Sequence, residues 1–200
     1  MSVQRVFIVR HGETDYNVEH RWQGHLDVPL NKNGLYQAQS LAKYLQNEPI
    51  DAIYSSDLKR AYDTAQAIAD AKQMKVIAEA RLREINLGVF QGLTNKQIQE
   101  AYPYEKMQWD NNNKFSPAEG ESRHQVQERV HQAWQEITNQ TDINTIVLLS
   151  HGGTIRMLLA RIFPDRTERV KLKNTSISII ERQIDKVWYS SALNITPHIT

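Results

Sequence analysis

The sequence contains no cysteine, and this absence excludes several kinds of chemistry at once. Without a thiol, the chain can form no disulfide, no thiolate metal site and no cysteine nucleophile. A charge excess is also missing, since 24 lysines and arginines stand against 23 aspartates and glutamates. A net charge of +1 creates no overall field that would attract nucleic acid or an anionic membrane. We therefore expect no nucleic-acid partner, and any positively charged site must be local.

Long apolar runs are absent as well. No segment approaches the roughly 20 apolar residues of a membrane-spanning helix, and the chain passes from Met1 into a strand-like run without a charged-then-apolar leader. We therefore expect no membrane partner and a cytoplasmic location. Glycine and proline are sparse, with 8 and 6 residues, and 40% of the 200 residues are apolar. This composition predicts one globular domain over residues 1-200.

The first apolar run, residues 6–9, ends abruptly in Arg10-His11-Gly12. An unbroken series of β-branched and aromatic residues predicts a strand that is buried on both faces of a parallel sheet. Ligands bind beyond the carboxyl ends of such strands, so Arg10 and His11 fall where a site is expected. The same order of residues recurs in Thr145–Leu149, which is followed by Ser150-His151-Gly152. Two histidines at two strand ends predict one shared site.

Strands and helices alternate along most of the remaining chain. Amphipathic helices are predicted from Leu35, from Leu58, from Thr94 toward Tyr102, from Ser122 and from about Thr154 to Phe163. Strands are predicted at Ile50–Tyr54, Lys75–Ala78, Ser176–Arg182 and Lys186–Leu193. Ser55-Ser56-Asp57 is expected to cap the helix from Leu58. The predicted fold is a three-layer α/β/α sandwich with a mostly parallel central sheet and an antiparallel C-terminal addition.

Charged and titratable residues cluster at these predicted strand ends and helix starts. Besides Arg10, His11 and His151, they include Glu84 and Arg60, which is in the first turn of a helix where a cation opposes the helix dipole unless an anion binds there. Two arginines and two histidines could bind a phosphate dianion, because the guanidinium fork matches phosphate oxygens. One histidine could then act as nucleophile, and a nearby carboxyl could protonate the leaving oxygen.

Other interpretations stay open on these residues alone. Taken singly, each is more often structural than catalytic. His11, His151 and Glu84 could also form a two-histidine, one-carboxylate metal site. Phosphate binding is favoured, because Arg10 and Arg60 at the same place would repel a divalent cation.

The segment Arg10-His11-Gly12-Glu13-Thr14, with Asn17 three residues on, resembles the signature of the histidine phosphatase superfamily, the phosphoglycerate mutase-like proteins. Further motifs extend the resemblance in the same order over nearly the whole chain. They are Ser55–Ala65, Arg83-Glu84-Ile85 with Gly88–Thr94, Gly120-Glu121-Ser122, Ser150–Gly153 and Asn174–Ile177.

This resemblance implies a role for each matched residue. His11 would be transiently phosphorylated, and Arg10, Arg60 and His151 would form the phosphate pocket with help from Asn17. Glu84 would donate and accept the proton. Residues of the neighbouring loops would bind substrate, namely Gln23, Gly24 and Gly152. Neither a cofactor nor a metal is expected.

The resemblance leaves two activities to distinguish. The mutase branch carries a Glu-Arg-x-Tyr-Gly segment and further arginines in the cover over the site. Here the corresponding segment is Glu84-Ile85-Asn86-Leu87-Gly88, and residues 93–122 contain no arginine. A phosphatase acting on a small phosphorylated metabolite is therefore favoured, with a 2,3-bisphosphoglycerate-dependent phosphoglycerate mutase and a phosphate-binding module without turnover as alternatives. A homodimer is left open.

The substrate-selecting part of the chain is predicted to be the segment 102-122, interpreted as an irregular cover over the site. It offers an apolar and aromatic surface suited to an apolar or ring-bearing alcohol, although the same residues could merely pack the cover onto the sheet. These residues are Tyr102, Tyr104, Met107, Trp109 and Phe115.

Overall fold

The computed structural model describes residues 2–164, 171–183 and 187–199. The strands are β1 (Arg5–Arg10), β2 (Ala52–Ser55), β3 (Val76–Ala78), β4 (Thr145–Ser150), β5 (Ile177–Arg182) and β6 (Trp188–Ile195). The helices are α1 (Asp15–Val18), α2 (Lys32–Leu45), α3 (Lys59–Lys72), α4 (Asn95–Ala101), α5 (Pro103–Asn111), α6 (Arg123–Thr138) and α7 (Gly152–Ile162). Lys186, the predicted start of the last strand, lies outside the described residues. Among the helices of the described ranges, none has the length and apolar character to cross a membrane.

The strands form one sheet in the order β3-β2-β4-β1-β5-β6. β3, β2, β4 and β1 are parallel, whereas β5 runs antiparallel to β1 and β6 antiparallel to β5. The predicted fold class is therefore confirmed. In the pairing of β1 with β4, Arg10 lies level with Ser150. The residues that follow them, His11 and His151, consequently leave the sheet side by side.

Strand β1 is buried on both faces, as its unbroken apolar run predicts. Phe7 and Val9 pack with residues of α2 and α3, while Val6 and Ile8 pack on the opposite face with residues of α6 and α7. Burying each such side chain contributes about 1.5–3 kcal/mol, so this strand is held firmly from both sides. That support provides a rigid base for the residues at its carboxyl end.

Helix capping is partly as predicted. Thr94 and Ser122 each form the expected capping box at the start of α4 and α6. The prediction for α3 is wrong, because its N-cap is Leu58, which makes no side-chain capping hydrogen bond. A carboxylate from another part of the chain serves the helix start instead, since Oδ1 of Asp27 accepts a 2.6 Å hydrogen bond from the amide of Lys59. Local spacing cannot reveal a cap that comes from so far away in sequence.

The cover is more regular than its composition suggests. Pro103 does not break the chain but occupies the first turn of α5, where its missing N–H costs nothing. Trp109 is buried, and its ring centroid lies 6.3 Å from that of Phe90. Tyr104 and Met107 are exposed. Part of the aromatic content therefore packs the cover onto the body of the protein.

Candidate active site

His11 and His151 lie together at the carboxyl ends of β1 and β4, where the repeated sequence pattern predicts a shared site. Their ring centroids are 5.1 Å apart, and the rings are tilted by 54°. His11 is 2% exposed and His151 is fully buried. Because the two imidazoles are close together and buried from water, burial and mutual repulsion both disfavour protonation of both rings.

The main-chain carbonyl of Gly12 determines which nitrogen of His11 can react. Nδ1 of His11 lies 2.6 Å from this oxygen, and because a carbonyl only accepts, Nδ1 must carry the proton. Nε2 then keeps its lone pair. Burial, followed by the charges of Arg60 and Arg10, holds the pKa of His11 well below 6.5. His11 is therefore neutral near pH 7 and has a nucleophilic nitrogen.

Ser56 orients the second histidine. Its Oγ lies 2.8 Å from Nε2 of His151 and also accepts a 3.3 Å hydrogen bond from the amide of Leu58. The Ser56 hydroxyl can thus donate to Nε2, which leaves the proton of His151 on Nδ1. Burial and then the charge of Arg60 hold the pKa of His151 well below 6.5. His151 is a neutral donor in this arrangement.

Two arginines are buried beside the histidines. Arg60 is 0% exposed and donates from Nη1 to the carbonyl of Leu26 and from Nη2 to that of Gly24, both at 2.8 Å. Arg10 donates from Nη1 to the carbonyl of Leu172 at 2.7 Å. Burial is the main cause that lowers the pKa of each to about 10, so both remain charged at neutral pH. They are positive charges held in place by hydrogen bonds and buried from solvent.

Three donors of this cluster have no partner. Nε of Arg10, Nε of Arg60 and Nδ1 of His151 are buried without a hydrogen-bond acceptor among the residues that the structure describes. Buried polar groups are nearly always paired, so such a group requires an explanation. Of the other buried nitrogens without a hydrogen bond, Nε of Arg5 lies 3.4 Å from Glu181 and Nε of Arg182 is toward the opposite end of β1, whereas Nδ1 of His198 is on the same side as the site. An anion with several acceptor oxygens would satisfy all three donors at the site.

Glu84 reaches the site through the start of α7. Its Oε2 accepts a hydrogen bond from the amide of Gly153 at 3.1 Å, and its Oε1 accepts one from the amide of Thr154 at 3.0 Å. A Cβ atom at Gly153 would collide with this carboxylate, which explains the glycine. At Gly152 a Cβ would lie 3.5 Å from Nε of Arg10. Glu84, Gly152 and Arg10 are therefore neighbours.

The loop after β1 completes the surroundings. Gly24 adopts a left-handed conformation (φ +53°), which lets its carbonyl receive Nη2 of Arg60. Gln23 is buried, and its Oε1 accepts a 3.1 Å hydrogen bond from the hydroxyl of Thr14. Oδ1 of Asn17 accepts a 3.1 Å hydrogen bond from Asn174, whose side chain also donates to the main-chain oxygen of His11. The structure thus places every predicted site residue in one region, while their roles stay predictions.

Sequence reasoning missed three contacts around this site. Ser56 was expected only as a helix cap, and His25 has no motif around it. Nε2 of His25 nevertheless lies 2.8 Å from the main-chain oxygen of Glu84, and Arg129 of α6 donates to the same oxygen at 2.9 Å. No local signal marks either contact; only the position of His25 directly after Gln23-Gly24 hints at it.

The described residues contain no group of three histidine, cysteine, aspartate or glutamate side chains that could hold a metal ion. The guanidinium groups of Arg10 and Arg60 converge here, near the carboxyl group of Glu84. The arrangement can therefore bind an anion, attack it with Nε2 of His11 and supply a carboxyl group nearby.

Known proteins share this architecture and much of the sequence. The family model of the histidine phosphatase superfamily (branch 1) matches residues 6–196. The chain is 39% identical over 178 residues to phosphoglycerate mutase-like protein 4 of Arabidopsis thaliana, covering 87% of this chain and 77% of that relative. It is 35% identical over 199 residues to phosphoserine phosphatase 1 of Hydrogenobacter thermophilus, covering 98% and 94%. A solved mycobacterial glucosyl-3-phosphoglycerate phosphatase, in complex with VO3, superimposes with a TM-score of 0.84 at 32% identity, covering 96% of this chain and 99% of that one.

Proposed function

The chain belongs to the histidine phosphatase superfamily, and we propose that it is a metal-independent phosphatase that hydrolyses a small phosphomonoester through a phosphohistidine at His11. The observation that carries the proposal is the set of unpartnered buried donors on Arg10, Arg60 and His151 beside a neutral His11. A phosphoryl group offers several acceptor oxygens to such donors, and its transfer depends mainly on positioning and charge neutralisation.

In the first step, Nε2 of His11 attacks phosphorus and the bond from phosphorus to the ester oxygen breaks. The proton stays on Nδ1, which continues to donate its hydrogen bond to the carbonyl of Gly12, and the ring shares the positive charge that develops. Arg10 and Arg60 neutralise the phosphoryl oxygens, and Nδ1 of His151 donates to one of them. Each of these charges is already in place before the substrate arrives, which lowers the cost of reorganisation.

Glu84 donates a proton in the first step and accepts one in the second. As a carboxylic acid it protonates the leaving alkoxide. As a carboxylate it then accepts a proton from the water that attacks phosphorus, the bond from phosphorus to Nε2 of His11 breaks, and inorganic phosphate and free His11 are released. In the structure its two oxygens accept main-chain hydrogen bonds at the start of α7.

The cover supports a phosphatase rather than a mutase. The cover has two lysines and no arginine, and one of these lysines, Lys106, pairs with Asp110 at 2.5 Å. Residues 93–122 contain no arginine, whereas the mutase branch carries further arginines in this part of the chain. The names of the relatives include phosphatases of phosphoserine and of glucosyl-3-phosphoglycerate, so alcohol esters of this size are the substrate class that we propose.

The proposal extends to the setting of the enzyme. We propose one catalytic domain over residues 1-200, with the segment 102-122 acting as its cover, and a cytoplasmic location. A homodimer is a further arrangement to be measured by sedimentation.

The decisive experiment is an assay of phosphate release from a panel that includes phosphoserine, glucosyl-3-phosphoglycerate, 3-phosphoglycerate and 4-nitrophenyl phosphate, with mutase activity measured in parallel. We expect release of inorganic phosphate from at least one alcohol ester in the presence of a chelator. Efficient interconversion of 2- and 3-phosphoglycerate with negligible phosphate release would show a mutase instead. Tight phosphate binding without turnover of any ester would show a binding module.

A further inference from the structure

The main-chain carbonyl of Glu84 is held from two sides by residues outside the predicted catalytic set. Nε2 of His25 lies 2.8 Å from this oxygen, and Nη2 of Arg129 donates to it at 2.9 Å. Because the carbonyl can only accept, Nε2 of His25 must carry a proton. The peptide of the proposed acid is thus clamped by two donors.

Arg129 anchors the whole segment that bears the acid. Its Nη1 donates to the carbonyls of Arg81 and Arg83, at 2.7 and 2.9 Å, in addition to the bond from Nη2 to Glu84. Its guanidinium also forms a two-point pair with Glu121, through Nε at 3.0 Å and Nη2 at 2.7 Å. All five N–H vectors of an arginine lie in one plane, so these contacts fix the height and direction of the segment.

His25 connects the same carbonyl to the phosphate-pocket side. It follows Gly24, whose own carbonyl is bound by Arg60 at 2.8 Å. The amide of His25 donates to Oε1 of Gln91 at 2.5 Å, which holds the loop in place. A displacement of His25 would therefore alter the spacing between the acid and the residue that neutralises the phosphoryl group.

We propose that His25 and Arg129 are positioning residues that aim Glu84 at the leaving oxygen by clamping its main-chain carbonyl. This inference rests on the proposed function, in which Glu84 is the acid. A general acid contributes about 10²–10⁴-fold only when it lies within hydrogen-bond reach of the leaving oxygen, so a shift of its peptide lowers that contribution. The effect is selective, because an activated aryl leaving group needs little protonation.

His25 and Arg129 can be substituted without changing any residue of the hydrophobic core. His25 and Arg129 line a surface cleft of about 360 Å³ together with Arg83, Asn86 and Glu121. His25→Leu removes the donor. His25→Gln keeps an N–H group that can reach the same oxygen. Arg129→Met removes the donors of the second residue and keeps an unbranched apolar stem.

The experiment measures kcat/KM for phosphoserine, an alkyl ester, and for 4-nitrophenyl phosphate, an activated aryl ester, in these variants and in Glu84→Gln. We expect His25→Leu and Arg129→Met to lower kcat/KM for phosphoserine by about tenfold and that for 4-nitrophenyl phosphate by less than about twofold. His25→Gln should restore most of the loss. The variant that combines His25→Leu and Arg129→Met should lose no more than Glu84→Gln.

Arg81→Met is the matched control. Arg81 lies in the same segment. Its side chain pairs with Glu79 and Glu136 and does not donate to the Glu84 carbonyl. We expect this variant to treat both esters alike. If Arg129→Met does not fold, the comparison of His25→Leu with His25→Gln decides the question.

Two outcomes overturn the inference and can be told apart. Equal losses on both esters in His25→Leu and Arg129→Met, alongside a selective loss in Glu84→Gln, would refute the clamp and leave the acid role of Glu84 standing. Equal losses on both esters in Glu84→Gln itself would remove that acid role, and with it the inference.

Discussion

The hydroxyl of Ser56 lies 2.8 Å from Nε2 of His151, and this contact decides which ring nitrogen of the histidine carries the proton. Ser56 follows β2, whereas His151 follows β4, its neighbour in the sheet. Both residues are buried, so water cannot take the place of this hydrogen bond. The orientation of His151 therefore depends on a partner that the parallel sheet brings to it.

Replacement of Ser56 by alanine tests this dependence. We expect Ser56→Ala to lower kcat/KM for 4-nitrophenyl phosphate by about tenfold, because a buried nitrogen left without its partner costs about 1–3 kcal/mol and the tautomer of His151 is no longer determined. Inhibition by inorganic phosphate should weaken in parallel. Ser55→Ala is the control, since Oγ of Ser55 donates to the carbonyl of Ser56 and does not contact the histidine. Equal effects of the two substitutions would contradict the assignment.

Substitution of His11 tests the nucleophile. We expect His11→Ala to lower kcat by at least about 10³-fold, because the phosphohistidine can no longer form. Rapid-quench labelling with a radioactive phosphate ester should give an acid-labile, base-stable phosphoprotein in the wild type and none in the variant. His124→Ala, which alters an exposed histidine on α6, should label like the wild type. Retention of turnover by His11→Ala would refute the mechanism.

The proposed metal independence rests on the positive charges of Arg10 and Arg60. Both remain protonated at neutral pH, and in the proposed mechanism they neutralise the phosphoryl oxygens without a divalent cation. We expect activity to be unchanged after prolonged dialysis against EDTA. Loss of activity that one specific metal restores would be the contrary result.

The buried histidines make stability depend on pH. His11 and His151 have pKa values well below 6.5 in the folded chain, chiefly because of burial. Below pH 6.5 the unfolded chain therefore binds protons that the folded chain does not, and the free energy of unfolding falls as the pH decreases. Each histidine contributes up to about 1.4 kcal/mol per pH unit in that window.

Urea denaturation at pH 7.5, 6.5 and 5.5 measures this dependence. His11→Asn should show a shallower loss of stability than the wild type, because asparagine does not titrate. His25 and His198, whose pKa values burial also lowers, leave part of the slope in place. An identical slope in wild type and variant would show that the pKa of His11 is not depressed.

The local sequence pattern predicted most of the strands and helices. The apolar runs of β1 and β4 and the capping boxes of α4 and α6 are confirmed because they depend on residues within a few positions of one another. The cover was predicted less well. Pro103 was interpreted as part of an irregular segment, but the same residue is favourable in the first turn of a helix, and only its neighbours in space decide between the two.

The sequence by itself determined that two strand-His-Gly segments exist, that the fold is a mostly parallel α/β sandwich and that arginines and a glutamate accompany the histidines. Only the tertiary structure decided that Asp27 caps α3, that Ser56 orients His151 and that His25 and Arg129 hold Glu84. The physical reason is the separation of the residues along the chain. Strands and helices follow from local periodicity, whereas the hydrogen bonds that determine protonation and orient side chains join residues far apart in the sequence.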